Sequence, residues 1–401
     1  MIPGRLRLFA RKFDTISTYV ASYLVGRFYG SAPIPAAAPR VMVLKLDNAG
    51  DVVLSTLVVP RVAEMLGGAE VVYVVKKGLG GLLSKVECVS SVIELPSGLG
   101  HCSRVGASER DGLAASKRII KEAIRTLRPQ VIIDLRPTPL SNYAALLGRF
   151  YGTRRRVSLD KQRLSELFGK GRDMKWSRHE VESFCAALEE AGIFPRETDF
   201  RRSLTFWKCE DDSWPTLSGK YFIIQPGAVW EYKKWPERNY ARLIDSLACQ
   251  YPAHSFVLAG SLDERSVCSR VREMTGWAVR DRVWNLAGKT TLAELVDIVS
   301  GADMVIANDS GVAHIAGASG ARTVVFFGPS SPERFRPLSA RQKSVKVFHY
   351  KLQCNPCEQD KCREGPHTYC LGRINPLEVF EYIRSSLNDG LQDAKAALEN
   401  K

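Results

Sequence analysis

The chain has 401 residues, of which 45% are hydrophobic, so it is long enough for two globular domains with full cores. Its 57 basic residues outnumber its 43 acidic residues, and the net charge of +14 favours polyanionic partners such as nucleic acid, an anionic membrane or a phosphorylated substrate. The sequence contains no secretory leader and no run of about 18 apolar residues that could span a bilayer, so we expect a cytoplasmic protein.

Residues 1–40 form a predicted N-terminal extension that ends in a linker rich in proline and alanine. Apolar residues recur there at helical spacing, namely Leu6, Phe9, Phe13, Ile16, Val20 and Tyr23, while Arg5, Arg7, Arg11 and Lys12 lie off this stripe. The pattern predicts a basic amphipathic helix. Two interpretations stay open: the helix makes a peripheral contact with the inner face of the cytoplasmic membrane, or its apolar face packs on the protein itself.

Residues 41–205 predict an N-terminal domain of alternating strands and helices. Strands are expected at residues 41–46, 70–75, 91–95 and 131–135, with helices at residues 52–66 and 112–127. This alternation is typical of a parallel, doubly wound sheet. Asp51 should then lie at the carboxyl edge of the first strand, where α/β proteins bind ligands. Arg136 is expected to pair with a neighbouring side chain, and the basic run at residues 154–156 is typical of a solvated surface.

Residues 218–387 predict a second domain of the same kind. Strands are expected at residues 221–225, 255–259, 304–308 and 323–327, with helices at residues 237–249, 263–274, 292–300 and 376–387. The turn Asp309-Ser310-Gly311 follows a buried strand and supplies good helix N-cap residues. A helix that begins there points free N–H groups at the ligand crevice, which favours an anion such as a diphosphate. Two α/β domains in tandem predict a cleft between them.

Four segments of the chain together resemble one known family. They are residues 44–52 (LKLDNAGDV), residues 225–228 (QPGA) with 233–236 (KKWP), residues 286–292 (LAGKTTL) and residues 308–314 (NDSGVAH). In order and separation they are similar to the bacterial heptosyltransferases of glycosyltransferase family 9, over about residues 41 to 387. The resemblance implies the GT-B fold, in which two Rossmann-like, doubly wound domains face a central cleft.

The resemblance further implies an inverting glycosyltransferase. The expected reaction moves a heptose from a nucleotide diphosphate donor, typically ADP-heptose, to the lipopolysaccharide core or another surface glycan. The partners would be this donor and an anionic, lipid-linked glycan acceptor. Two alternatives stay open, namely a GT-B transferase with a different nucleotide sugar and a non-catalytic protein that binds anions or membrane. Nucleic acid is not expected as a partner, because the basic residues form no stripe interleaved with aromatic residues.

The positions that match the family's motifs imply roles for individual residues. Asp51 matches the general base that takes the proton from the acceptor hydroxyl, and the alternative is an N-cap of the following helix. An open, polar and cation-rich surrounding is expected to keep its carboxylate ionised. Lys233 matches the lysine that binds the donor phosphates, whereas the adjacent Lys234 is expected to be solvated. The resemblance implies that catalysis requires no metal or other cofactor.

The turn after residue 308 matches the family's donor site. The residues expected to hold the phosphates, through backbone and side chains, are Ser310, Gly311, Val312 and His314. For His314 the alternative is an ordinary residue on a helix surface. Asp309 is expected to position the turn or to contact a donor or acceptor hydroxyl, because its carboxylate would repel a phosphate.

Four cysteines cluster near the end of the second domain, between residues 354 and 370. Cys354, Cys357, Cys362 and Cys370 have the spacing C-x2-C-x4-C-x7-C. Three interpretations stay open: a structural zinc held by thiolates, disulfides, or free thiols. Residues 388–401 are polar and predict a frayed tail.

Overall fold

The computed structural model describes residues 17–29, 38–96, 107–159, 178–195, 200–207, 219–340, 344–357, 362 and 369–399. The chain divides into two compact units, Met1–Lys208 and Cys209–Lys401, here called unit 1 and unit 2. Each unit contains one parallel β-sheet, which confirms the predicted α/β class with two doubly wound sheets. Among the described residues, no helix combines the length and the apolar character needed to cross a bilayer.

Unit 1 is built around a sheet of five parallel strands. The strands are β1 (Arg40–Leu44), β2 (Glu70–Lys76), β3 (Val89–Leu95), β4 (Val131–Asp134) and β5 (Arg155–Ser158). The helices are α1 (17–26), α2 (Ala49–Thr56), α3 (Val59–Met65), α4 (Ala107–Leu127), α5 (Pro139–Phe150) and α6 (Glu180–Glu190). The strand order is β3-β2-β1-β4-β5, so β1 and β4 are neighbours although they are far apart in the chain.

The boundary between β1 and β4 is the switch point of the unit 1 sheet. From β1 the chain winds toward β2 and β3, and it later continues on the other side of β1 with β4 and β5. Open α/β sheets bind ligands at such a point, outside the carboxyl ends of the strands. The apolar residues of β1 are fully buried, as expected for a parallel strand covered on both faces. The polar residues that follow β1 and β4 are therefore brought together at this edge.

Two elements of unit 1 differ from the sequence prediction. The single helix expected over residues 52–66 is two helices, α2 and α3, because Pro60 has no N–H for an internal helical turn and lies in the first turn of α3. The basic run at residues 154–156, predicted to be a solvated surface, enters strand β5. Neighbouring residues of a strand face opposite sides of the sheet, so the run cannot be solvated throughout.

Arg156 is the side chain that this alternation turns inward. Its Nη2 lies 2.9 Å from Asp134 Oδ2, and both side chains are almost completely buried. The guanidinium also donates to the backbone oxygen and to the hydroxyl of Ser22 on α1, each at 2.7 Å. Burial raises the pKa of Asp134, while Arg156 acts in the opposite direction. A buried ion pair of this kind connects helix α1 to the sheet.

Helix α1 packs on unit 1 through Tyr19, Ser22 and Val25, which are buried. One face of this helix thus packs on the protein, the membrane contact stays a prediction for its exposed face, and residues 1–16 lie outside the described residues. The buried face is not the predicted apolar stripe, since Val20 belongs to that stripe and is exposed. The bonds from Arg156 to Ser22 account for the difference, because they require this serine to face the sheet.

Unit 2 contains a sheet of six parallel strands. The strands are β6 (Tyr221–Gln225), β7 (Ser255–Leu258), β8 (Val283–Asn285), β9 (Met304–Asn308), β10 (Thr323–Phe327) and β11 (Val345–His349). The helices are α7 (Glu237–Gln250), α8 (Arg265–Met274), α9 (Leu292–Ser300), α10 (Gly311–Ser319), α11 (Pro332–Phe335), α12 (Tyr369–Gly372) and α13 (Pro376–Glu399). The order β11-β10-β9-β6-β7-β8 puts the switch point between β6 and β9.

The last helix is longer than the sequence analysis predicts. Helix α13 runs to Glu399, so residues 388–399 continue it instead of forming a separate frayed tail. This segment is polar, but it is rich in alanine, leucine and other good helix formers, and it contains no proline. Its earlier residues Val379 and Ile383 are buried in the core of unit 2.

Candidate active site

At the switch point of unit 1, one carboxylate is shared by two cations. Asp47 follows β1, and its Oδ2 lies 2.6 Å from Lys45 Nζ. Its other oxygen, Oδ1, lies 2.6 Å from Arg136 Nη1, which confirms the predicted pairing of Arg136. Burial would raise the pKa of Asp47, but Arg136 and Lys45 together hold it below its ordinary value. The Asp47 carboxylate is therefore a fixed negative charge.

Lys45 is buried although it is a lysine in the middle of an apolar segment. Its ammonium group lies 4.8 Å from the centre of the Phe184 ring and donates to Leu135 O at 3.3 Å, in addition to its bond with Asp47. A buried ammonium group needs such partners, because the loss of its hydration would otherwise be too costly. Lys45 is thus committed to its partners within unit 1.

Asp51 lies in the first turn of α2, beside this pair. The N-cap of α2 is Asn48, so the alternative role of Asp51 as an N-cap is not what the structure shows. Burial raises the pKa of Asp51 to about 6, and the carboxylates of Asp47 and Glu180 also act to raise it while Lys45 and Arg136 lower it. The surrounding of Asp51 is rich in cations as expected, but Asp51 is half-buried instead of open, and Lys45 and Arg136 are paired with Asp47.

A third cation completes the group. Lys76 ends β2, and its pKa is lowered by burial, although Asp47 and Asp51 act to raise it. The first turn of α6 contributes Glu180, which is buried. With its pKa near 6, the Asp51 carboxylate is largely ionised at neutral pH and can still accept a proton during a reaction. This part of unit 1 is suited to general base chemistry.

At the switch point of unit 2, Asn308 holds three segments together. Its Oδ1 accepts from Trp235 N and from Tyr240 Oη, both at 2.9 Å. Its Nδ2 donates to Pro226 O and Gly227 O, also at 2.9 Å each. The amide is completely buried and uses both of its ends, so it fixes the loops after β6 and β9 relative to each other.

Lys233 and Asp309 form an ion pair above this amide. Lys233 Nζ lies 2.6 Å from Asp309 Oδ2, which also accepts from the Ser330 hydroxyl at 2.7 Å. The lysine is only partly buried, whereas the aspartate is almost completely buried. Asp309 therefore positions the ammonium group of Lys233. The neighbouring Lys234 is not solvated as predicted, because it is about as buried as Lys233 and its Nζ lies 2.5 Å from Oε2 of the exposed Glu231.

Helix α10 begins at this ion pair without a side-chain cap. Ser310 is its N-cap residue, but the Ser310 hydroxyl donates to Gln225 Oε1 at 2.8 Å and makes no capping bond. Gln225 in turn donates to Gly227 O at 2.7 Å. The first N–H groups of a helix have no partner within the helix, and they carry the positive end of its dipole. The turn formed by Gly311 and Val312 thus presents donors suited to an anion.

His314 lies one turn into α10 and is buried, so it is not an ordinary residue on a helix surface. Among the described residues, its Nδ1 has no hydrogen-bond partner. Burial lowers the pKa of His314 to about 4, with Lys233 acting in the same direction and Asp309 against it. The imidazole is therefore neutral, and a buried, unpaired nitrogen beside a lysine and a helix N-terminus indicates a site for a ligand.

The predicted site residues fall into two groups. The structure brings Lys233, Asp309 and His314 together around the start of α10, and Asp51 belongs to unit 1. Sequence reasoning missed Lys45 and Asp47 as members of the unit 1 cluster. The signal was present in segment 44–52, where two charged residues interrupt a strand and its turn just before Asp51.

The four clustered cysteines form no disulfide within the described part of the chain, and the residues described there contain no group of three or more side chains arranged to hold a metal ion. Burial raises the pKa of Cys370 to about 11, and Cys357 and Cys362 also act to raise it. The influence of Cys357 and Cys362 on Cys370 indicates that these thiols lie near one another, and a structural zinc at the cluster stays a hypothesis.

Comparison with known proteins gives the family. The profile described as glycosyltransferase family 9 (heptosyltransferase) matches residues 120–368. Lipooligosaccharide heptosyltransferase 2 of Haemophilus influenzae is 34% identical over 222 residues, which are 52% of this chain and 62% of that protein. Two Campylobacter jejuni relatives are covered over 53% and 52% of their length, so the chain matches about half to three fifths of these relatives. Lipopolysaccharide heptosyltransferase 1 of Pseudomonas aeruginosa is 22% identical over 87% of this chain and 98% of its own length.

Solved structures agree on the fold. Escherichia coli ADP-heptose lipopolysaccharide heptosyltransferase II superposes with a TM-score of 0.66 at 19% identity, over 88% of this chain and 99% of that one. Escherichia coli heptosyltransferase WaaC with ADP gives a TM-score of 0.62 at 19% identity, over 86% and 99%. These likenesses confirm the predicted GT-B fold class. The profile match over more than half of the residues gives the family: the chain belongs to glycosyltransferase family 9, the heptosyltransferase family.

Proposed function

We propose that this protein is an inverting glycosyltransferase that moves a heptose from a nucleotide diphosphate donor to a lipopolysaccharide core or related surface glycan. ADP-heptose is the expected donor, because relatives are named heptosyltransferases and the similar Escherichia coli WaaC structure contains ADP. The observation that carries the proposal is the anion site of unit 2. The proposal is supported there by Lys233, by the uncapped start of α10 and by the unpaired nitrogen of His314 one turn further along this helix.

The departing diphosphate supplies the charge that this site must stabilise. Lys233 is held by Asp309, so a bound diphosphate would take over part of the ammonium group's hydrogen bonding while Asp309 and Ser330 keep its position. The N–H groups of the first turn of α10 would bind a phosphate oxygen, and neutral His314 would donate or accept one hydrogen bond. Such preorganised donors stabilise the charge that develops as the glycosidic bond breaks.

Asp51 supplies the proton chemistry of the proposal. The acceptor hydroxyl loses its proton to the Asp51 carboxylate as its oxygen forms a bond to the anomeric carbon. The bond from that carbon to the diphosphate breaks, so one nucleophile replaces one leaving group and the configuration is inverted. A pKa of about 6 leaves most of the Asp51 carboxylate ionised at neutral pH and makes it a better base than an unperturbed aspartate.

The acceptor and the location of the protein belong to the same proposal. A lipid-linked acceptor would present its sugar at a membrane surface, so the protein would work as a peripheral protein on the cytoplasmic side of the inner membrane. The proposed transfer uses only side chains and backbone groups of this chain. A structural zinc at the cysteine cluster stays a hypothesis that metal analysis of purified protein would test.

Calorimetry with a panel of nucleotides tests the proposal. Binding of ADP and ADP-heptose is compared with GDP-, UDP- and dTDP-sugars, for the natural protein and for the neighbouring variants Lys233→Ala and Lys234→Ala. We expect ADP-heptose to bind most tightly and only Lys233→Ala to weaken binding strongly. If another nucleotide sugar bound more tightly, the donor would be wrong. If none bound, or if both lysine variants lost the same affinity, the anion site itself would be refuted.

A further inference from the structure

The surface formed by α1, α5 and α4 of unit 1 carries an apolar band next to a basic groove. On α1 and just after it, Val20, Leu24 and Phe28 are 40%, 55% and 64% exposed, and on α5 Leu146 and Phe150 are 48% and 82% exposed. Five large apolar side chains in one region exceed what a soluble surface needs and mark an interaction site. The opposite face of α1 already packs on unit 1 and is buried, so the exposed apolar residues are not the ones that hold this helix on the unit.

Hydrogen bonds connect the two halves of the band. Arg149 Nε donates to Phe28 O at 3.1 Å, so the end of α1 lies against α5 between Leu146 and Phe150. The Tyr29 hydroxyl donates to Ala145 O on the same helix. These bonds place the end of α1 beside the part of α5 that carries Leu146 and Phe150. The exposed apolar side chains of the two helices therefore belong to neighbouring elements of one surface region.

The groove begins where the band ends. It has a volume of about 630 Å³, and its lining residues are Arg118, Lys121, Glu122, Arg125 and Tyr151. The Phe150 and Tyr151 rings contact each other edge to face, with centroids 5.2 Å apart, so the groove and the band are adjacent. Glu122 forms an ion pair with Arg125 at 2.8 Å and also interacts with Lys121, and among the described residues neither Arg118 nor Lys121 lies within ion-pair distance of a carboxylate.

We propose that this surface is a docking site for a bilayer that contains anionic lipids. The band would enter the boundary between headgroups and acyl chains, while Arg118 and Lys121 would bind phosphate groups of the headgroups. This combination of apolar anchors with adjacent basic residues is what interfacial membrane binding requires, since neither contribution suffices alone. Arg27 and Arg149 lie beside the apolar residues and add positive charge at the rim.

Other occupants fit this surface less well. In a symmetric dimer formed through this surface, the basic grooves of the two copies would face each other, which costs energy because the charges have the same sign. Nucleic acid would leave five exposed apolar side chains without a favourable environment, because its surface at the contact is polar and charged. An anionic bilayer satisfies both the apolar and the basic parts at once.

Vesicle sedimentation with the full chain tests the proposal and does not depend on sugar transfer. Vesicles of phosphatidylcholine alone are compared with vesicles that also contain phosphatidylglycerol. We expect binding to the anionic vesicles, at least about tenfold tighter than to the neutral ones and weakened by salt, as attraction by several basic residues predicts. Equal binding to both kinds of vesicle, or no binding to either, would overturn the proposal.

Point variants locate the surface, because all of these side chains are exposed and their loss should not affect folding. Leu24→Ser with Phe28→Ser, and Leu146→Ser with Phe150→Ser, should each weaken vesicle binding by about tenfold or more. Arg118→Gln with Lys121→Gln should weaken it by about fivefold or more and reduce its salt dependence. The melting temperature confirms that each variant is folded.

Matched controls come from unit 2. Met274 and Trp277 are 50% and 85% exposed, close to the values of Leu146 and Phe150, and Arg238 and Arg242 are exposed on α7. Met274→Ser with Trp277→Ser and Arg238→Gln with Arg242→Gln should leave binding unchanged. Equal losses in these controls would refute the assigned surface. Analytical ultracentrifugation adds a second check: if the unit 1 variants abolished self-association of the natural protein, the surface would be a contact between copies and the lipid proposal would fail.

Discussion

The switch points of the two units place charged residues at equivalent positions of the fold, yet they pair them differently. In unit 1, Asp47 forms ion pairs with both Lys45 and Arg136. Burial and the repulsion of neighbouring carboxylates raise the pKa of the nearby Asp51 to about 6. In unit 2, one carboxylate holds one lysine, and hydrogen-bond donors are left over at the start of α10.

This difference shows how one fold position serves two kinds of chemistry. Cations committed to a second carboxylate do not stabilise the ionised form of Asp51 fully, so it can accept a proton. Donors that lack an internal acceptor, by contrast, are available to a phosphate group. The chemistry of each edge is thus decided by which partners are already used within the unit.

Replacing Asp51 gives the largest expected effect. Asp51→Asn keeps the size of the side chain and removes its basicity, so turnover should fall by about 100- to 10,000-fold, while affinity for ADP changes little. Steady-state kinetics and calorimetry measure the two quantities. Asp111→Asn, an exposed acid on α4 of the same unit, is the control and should retain full turnover. Retained turnover in Asp51→Asn would show that Asp51 is not a general base, and the two units would then no longer differ in this way.

Replacing Lys233 should affect binding more than proton transfer. Lys233→Ala removes a charge-assisted contact to the diphosphate, and affinity for ADP should fall by about 10- to 100-fold. Lys234→Ala removes the ion pair with the exposed Glu231 and should change the affinity by less than about twofold. An unchanged affinity in Lys233→Ala would mean that unit 2 binds its ligand without the lysine that Asp309 positions.

The pH profile tests how Asp51 is tuned. In the natural protein kcat/KM should fall as the pH drops below about 6, because the base becomes protonated. Glu180→Gln removes a negative charge that raises the pKa of Asp51, so this acid limb should move to lower pH, by a few tenths to about one unit. Glu182→Gln, on the same turn of α6, should leave the profile in place. A shift to higher pH in Glu180→Gln would contradict the proposed electrostatics.

The prediction for His314 concerns the stability of the fold instead of activity. Its pKa of about 4 in the folded protein lies below the ordinary value of 6.5, so the folded state favours the neutral ring. The stability contributed by this group is complete above pH 6.5 and is lost as the pH falls from 6.5 toward 4. His314→Gln should reduce this loss by on the order of 1–3 kcal/mol, measured by denaturant unfolding at several pH values. An unchanged pH dependence would show that the imidazole is charged or solvated.

The sequence is sufficient to predict the strands that lie inside the sheets. β6, β9 and β10 have the bounds that their continuous apolar runs indicate, because a strand buried on both faces needs such a run. The edge strands β5, β8 and β11 were not predicted. β5 starts with two arginines and β8 has an exposed tryptophan, so neither shows a buried pattern, and their pairing depends on strands distant in the chain.

Only those site residues that belong to a recognised sequence motif could be predicted. Segments 44–52 and 308–314 identified Asp51 and the turn at Ser310, but not the network that supports them. Asn308 bonds to residues 68 to 82 positions away, and no local pattern records such contacts. The raised pKa of Asp51 likewise results from burial and from Glu180 on a separate helix, which the local charges alone do not indicate.

The contact of Arg156 with Ser22 has a consequence for anyone who shortens this protein. A fragment that started at β1 would remove two acceptors from a buried guanidinium and expose one side of its pair with Asp134 to water. Truncation would therefore weaken the Rossmann-like unit itself, and a loss of activity in such a fragment would say little about what α1 binds. The first segment is part of the scaffold, and protein engineering should treat residues from 17 onward as inseparable from the sheet.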